Sequence, residues 1–325
     1  MKIKLDGFVL AIIAIVITAY FFPNWGSKNS PIPLNLIGSI GVSLIFFFYG
    51  LKISPEKIRI GLKNWRLHLL VQTSSFILFP ILVMGFYPLI SNENDHTIWL
   101  AFMFLAALPS TVSSSVVMVS IAKGNIPAAI FNASISGLIG IIITPLWMGL
   151  FLQETTTNFN LGSIYLKLLT EILLPVIIGM SLQRYLGEFV RKHLRYLTLF
   201  DKAIILLIIY KSFAESFTEH VFNSVNFSDL LLILTAVIGL FLVVFLIIKR
   251  IAKYLGFTLE DRITAQFCGT KKSLVHGTVF SKILFQNTAS VGIILLPLML
   301  FHFIQIFIIS IIAARFERQI SPSKS

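Results

Sequence analysis

Apolar residues run along this chain in long blocks set off by short polar stretches, with no strict alternation of the kind a half-buried strand shows. A bilayer core takes about 20 helical residues to cross, so each block predicts a membrane span. Ten blocks lie roughly at 7–22, 34–52, 67–90, 97–122, 126–152, 163–183, 203–220, 229–248, 259–285 and 291–314. Two of them are interrupted. In the fourth, Pro109 removes a backbone donor and clashes with the preceding turn. Ser110, Thr111, Ser113, Ser114 and Ser115 follow at once, and their hydroxyls can bond the freed carbonyls or a ligand. The plainer reading is a kink that neighbouring helices tolerate. The ninth block opens with Thr258 as N-cap and Asp261 three residues on as its capping-box partner. It then runs apolar, breaks at Gly269-Thr270, and places Lys271 and Lys272 directly after the break.

Lys271 falls about a dozen residues into its helix, roughly 18 Å at 1.5 Å per residue. Snorkelling to an interface is hard from there, and a charge at that depth costs about 2.5–3.5 kcal/mol or more, which marks a candidate functional site. The interiors of blocks four and nine hold no acidic residue. The carbonyl end of the first half-helix, just before Gly269, is therefore expected to hold one ammonium. The second half-helix should begin near Ser273 with its amide end free, and such ends favour anions. Together these features predict a site for a carboxylate, sulfate or phosphate group. Gln266, Gly269, Thr270 and Ser273 belong to it by position, and Asn132 and Ser136, at i and i+4 in block five, could complete it or serve as packing glue. His276 could relay a proton, though a lone histidine, like His302, is more often simply packed. Lys211 and Glu215 read as a self-neutralised pair, Lys167 and Glu171 as an interfacial one, and Phe46-Phe48 as facing lipid.

Composition agrees with the span count and removes alternatives. Of the 325 residues 56% are hydrophobic and only 12% charged, with mean hydropathy +0.89, whereas soluble domains carry about 25% charged residues. One cysteine, Cys268, excludes an intrachain disulfide, and no Cys/His cluster suggests a metal or cofactor. The net charge of +12 does not point to nucleic acid, because most lysines and arginines sit at the ends of apolar blocks. Read as positive-inside, they put both termini in the cytoplasm of a multi-pass protein of the inner cell membrane. The first block, lacking a small-residue cleavage site, is a retained span. Trp25, Trp99 and Trp147 near outer ends, and Trp65 near an inner one, are expected as interfacial anchors.

Gly140-Ile-Ile-Ile-Thr-Pro-Leu146 returns as Gly292-Ile-Ile-Leu-Leu-Pro-Leu298, in blocks five and ten. Halves of five spans insert with opposite orientation, so residues 1–160 and 161–325 are expected to form an inverted repeat with its site on the interrupted helices. With Leu108-Pro-Ser-Thr-Val-Ser-Ser-Ser115, Ala122-Lys-Gly-Asn125, Phe131-Asn-Ala-Ser-Ile-Ser136, Phe267-Cys-Gly-Thr-Lys-Lys-Ser273 and Leu295-Leu-Pro-Leu-Met-Leu300, the chain resembles the bile acid:sodium symporter family, in its sodium-symporter-like branch. The resemblance implies an all-α integral membrane fold of core and panel domains, with discontinuous helices four and nine crossing and alternating access. It also exposes a departure. Sodium-coupled members are similar to Glu-Val-Gly-Met-Gln-Asn-Ser in the ninth span; aligned on Gly269, Phe267 stands in place of the Glu and Lys271 in place of the Gln. Ala129 and Ala133 stand where that branch has hydroxyl ligands. At a few Å each unit of charge is worth about 4 kcal/mol at an effective dielectric of 20, so sodium coupling is doubtful. Lys271 or Lys272 would instead act as a tethered cation. Proton coupling is a corollary, since desolvation penalises an ammonium. The expected function is thus secondary transport of a small organic or inorganic anion, with H+ or Na+ as candidate coupling ion. A lipid-acting membrane enzyme would need a His/Asp/Glu/Cys cluster at one depth, and none is seen. A non-transporting sensor is the third class.

Overall fold

The computed structural model describes residues 7–26, 30, 32–52, 64–89, 93–111, 113–152, 161–220, 222, 226–285 and 291–320. Lys2, Lys4, Lys28, Lys57, Arg59, Lys63, Glu154 and Lys324, which entered the charge argument, lie outside them, as does the side chain of Ser113. Every regular element among the described residues is helical. The first half of the chain gives α1 (Gly7–Phe21), α2 (Leu34–Lys52), α3 (Trp65–Thr73), α4 (Phe79–Met84), α5 (Glu93–Ala107), α6 (Ser113–Ile121) and α7 (Ile126–Leu152). The second gives α8 (Leu161–Leu168), α9 (Leu174–Lys192), α10 (Leu194–Thr218), α11 (Phe227–Tyr254), α12 (Leu259–Gly269), α13 (Leu274–Leu284) and α14 (Val291–Ile320).

Among the described residues, six continuous stretches are long and apolar enough to cross a membrane: Leu34–Lys52, Trp65–Met84, Ile126–Leu152, Gly162–Lys192, Phe227–Tyr254 and Val291–Glu317. The fourth and ninth blocks fall short of that length because each is two helices with an unwound link. Among the described residues those links are 108–111 and 270–273, at the positions Pro109 and Gly269-Thr270 predict.

The chain packs as two compact units, and each draws on both halves of the sequence. The first comprises residues 1–54, 160–226 and 278–295. Its α2 and α9 approach through glycines on both sides. A Cβ at Gly179 would stand 2.2 Å from Phe47 O, and one at Gly50 the same distance from Val176 O, so only glycine lets the two backbones touch. Lys211 donates to Glu215 at 2.8 Å, and Lys52 to Asp201 at 3.2 Å. Phe46 corrects the lipid-facing expectation: it is 1% exposed, packed edge-on to Tyr49. Lys282 donates to Ser39 Oγ in the same unit.

The second unit comprises residues 55–159, 227–277 and 296–325. Here α3 runs into α4 through a π-helical turn, Ser74–Leu78. Pro80 has no N–H to offer Phe76 O, and the widened turn sends the Phe79 N–H to Ser74 O. The carbonyls of Ser75 and Phe76 thereby lose their helical donors. Trp147 Nε1 takes Phe76 O at 2.8 Å. Trp99 is 6% exposed, with Nε1 on Val83 O at 3.0 Å. Trp25 and Trp65 are the exposed ones.

Asp261 ties three segments of this unit together. Thr258 caps α12 by accepting from the Asp261 N–H, as expected. The Asp261 carboxylate, however, does not return to the cap; it accepts from Asn64 Nδ2 and Asn125 Nδ2, both at 2.8 Å. Asn125 N–H also reaches Thr264 Oγ1 at 2.8 Å, which fixes the turn between α6 and α7 against α12.

Candidate functional site

The two breaks meet inside the second unit and complete each other's hydrogen bonds. A helix that ends in the interior leaves orphan carbonyls which must find donors. After α5, Ala106 O and Leu108 O accept from Lys272 Nζ, Ala107 O accepts from Thr144 Oγ1 at 2.7 Å, and Pro109 O accepts from the Ser273 N–H at 2.9 Å. At the other break, Cys268 O accepts from Ser110 Oγ at 2.6 Å, while Thr270 turns both its N–H and its Oγ1 onto Gln266 O. Ser136 Oγ accepts the Ser110 N–H at 2.9 Å, which brings α7 to the same point. Ser273 opens α13, accepting from the His276 N–H and bonding His276 Nδ1 at 2.9 Å.

Lys271 and Lys272 are neighbours in sequence and both 0% exposed, yet they point into different chemistry. The Lys272 ammonium donates to Ser75 O at 2.6 Å, Ala106 O at 2.6 Å and Leu108 O at 2.8 Å. Its fourth side faces the Phe79 ring, 4.2 Å from the centroid. An ammonium has three donors, so this one is saturated. Its backbone is held as firmly: the N–H donates to Gln305 Oε1 at 2.8 Å, and the carbonyl accepts from Gln305 Nε2 at 2.9 Å. The expected partner, the carbonyl end before Gly269, is not what holds an ammonium here. Cys268 O and Gln266 O are taken by hydroxyls, and the end of α5 serves instead.

Lys271 has one long hydrogen bond, to Ser114 Oγ at 3.3 Å. Ser114 Oγ donates onward to Thr111 Oγ1 at 3.0 Å, and Thr111 shares a 2.7 Å contact with Ser115 Oγ. Among the described residues, two of the ammonium's donors therefore have no acceptor. Neither lysine belongs to an ion pair among the described residues. Phe267 is fully buried, as is Ala129.

Asn132 bonds elsewhere: its Oδ1 accepts from Gln72 Nε2 at 3.2 Å and its Nδ2 donates to Ala128 O. Gln266 is 5% exposed and contributes its backbone carbonyl. Sequence reasoning missed Ser75, Phe79 and Gln305 around Lys272. Pro80 behind a Ser-Ser pair was the available signal for the first two.

The geometry joins two broken helices around buried cations within an apolar, multi-pass chain, and comparison with known proteins decides the family. A model of the SBF-like CPA transporter family matches residues 6–318. The chain belongs to that family. An uncharacterized protein of Pseudomonas aeruginosa is 37% identical over 97% of this chain and 93% of its own length. The sodium/bile acid cotransporter 7-B of Xenopus laevis is 30% identical over 96% and 91%, and cotransporter 7 of Mus musculus 29% over 96% and 92%. This SBF-like protein is thus a membrane transporter, and its similar proteins of known name are transporters rather than enzymes.

Proposed function

We propose that this SBF-like protein is a secondary transporter that moves a small organic or inorganic anion across the inner cell membrane by alternating access. In this reading ten spans form two inverted repeats, residues 1–160 and 161–325, with core and panel domains and both termini cytoplasmic. One observation carries the choice of an anion. Among the described residues, Lys271 is a fully buried ammonium with two unfilled donors, beside the hydroxyls of Thr111, Ser114 and Ser115 and without a carboxylate partner. A negative group can take those donors; a cation cannot.

The alternative is a sodium-dependent symporter of bile-acid type, favoured by the names of the vertebrate relatives. Phe267 and Lys271 argue against sodium at this place, since an ammonium repels the ion a carboxylate would attract. Proteoliposome counterflow with a panel of labelled carboxylates, sulfate and phosphate separates the readings. At least one anion should exchange in choline as fast as in sodium, and Lys271→Met should abolish that exchange. Flux of a bile acid that needs sodium and survives Lys271→Met would overturn the proposal, and so would a lack of flux for every anion tested.

A further inference from the structure

The three carbonyls around Lys272 have different origins and one common property: each has lost its helical donor. Ala106 O and Leu108 O belong to the end of α5 and its link. Ser75 O is released by the π-turn, because the Phe79 N–H is diverted to Ser74 O and position 80, the next donor along, is proline. These oxygens converge on one point from two helices, with the Phe79 ring closing the side. Convergent carbonyls under an aromatic face make a site for a small monovalent cation. The chain fills it with a side chain delivered from a third element, pinned on both sides of its peptide by Gln305.

We infer that this cage is a monovalent-cation site occupied by the protein's own ammonium, and that a free ammonium ion takes it when Lys272 is removed. Lys272 is then a positioning residue, with no donor left for solute, and Lys271 alone faces the anion. That assignment of roles rests on the anion-carrier reading. The cage does not, and its test needs no transport.

Melting of purified wild type, Lys272→Ala and Lys272→Met is measured in ammonium, potassium, sodium and choline chloride at one ionic strength. The alanine variant in choline should melt well below wild type. Ammonium should restore most of that loss and do so saturably, while wild type does not respond to the exchange. Lys272→Met fills the volume without the charge, so it should stay low in every salt. An alanine variant that responds to ammonium no more than wild type does overturns the proposal, and a methionine variant rescued equally overturns it by placing the ion elsewhere. Should Lys272→Ala prove unrecoverable in choline, purification in ammonium throughout should yield monodisperse protein. Failure in every salt would mean that the emptied cage accepts no cation. Loss of anion flux with ammonium rescue intact would sink the transport reading alone.

Discussion

Replacing Lys271 by methionine should make the protein more stable. The side chains have similar length, so the substitution leaves little cavity. What it removes is an ammonium that is 0% exposed and holds one hydrogen bond at 3.3 Å. Such a bond, long as it is, contributes at most about 1.5 kcal/mol, while burying an ion carries a penalty of several kcal/mol. Exchange of a buried ionic group for a packed apolar one of like volume commonly stabilises by about 1–4 kcal/mol. Allowing for the lost bond to Ser114, we expect a gain of about 1–3 kcal/mol for Lys271→Met. The adjacent change has the opposite sign. Lys272→Met orphans three buried carbonyls, each worth about 1–3 kcal/mol when left unmade, so it should destabilise by about 3 kcal/mol or more. Thermal unfolding of the two variants beside wild type, in one detergent and one salt, reads both signs. If Lys271→Met lost more than about 1 kcal/mol, the ammonium would have partners that this geometry does not contain, and the argument for an anion site would fail with it. A gain in stability coupled to a loss of flux is the pattern expected where a strained site is kept for function.

Three further outcomes follow from the packing. Gly179→Ala presses a Cβ against Phe47 O, a backbone atom that cannot rotate away, so a loss at or above the usual 1–3 kcal/mol for overpacking is expected. One separation of α2 and α9 relieves both glycines, so Gly50→Ala should then add much less than it does alone; additive losses in a double-mutant cycle would contradict the shared contact. Asp261→Ala strands the amides of Asn64 and Asn125, at a loss of about 2–4 kcal/mol for two partly buried charge-assisted bonds; faster hydrogen exchange at Asn125 is its local signature. Trp147→Phe leaves Phe76 O without a donor, for about 1–3 kcal/mol, and Pro80→Ala should restore part of it by returning an N–H, which unfolding of the double variant would show.

Sequence pattern carried some of this and not the rest, for reasons that lie in particular residues. Pro109 and Gly269-Thr270 marked the links because their effect on a helix is local. Thr258 and the Lys211–Glu215 pair were legible for the same reason, each acting within one turn. The division of labour between Lys271 and Lys272 was not legible. Two adjacent residues in an unwound link differ only in the direction their backbone turns, and that direction is set by Gln305, far along the chain. Phe46 reads as a lipid-facing residue in any apolar run; only the neighbouring helices decide that it is inside. The Asp261 clasp escaped because both of its asparagines are distant in sequence.

The π-turn at Ser74–Leu78 holds one residue more than a regular helix would need over the same stretch. Deleting a single residue there would close the turn into regular helix with the flanking segments held in place, and so would remove the geometry that releases these carbonyls. Ser75 O would swing away from Lys272, and Trp147 would lose Phe76 O. Surface loops absorb insertions and deletions readily; this stretch should not, and a library of single-residue deletions would find it as intolerant as the lysines themselves. A second such turn, Leu169–Leu173 ahead of Pro175, stands in the same register to its proline. Length, in this protein, carries chemistry inside its helices.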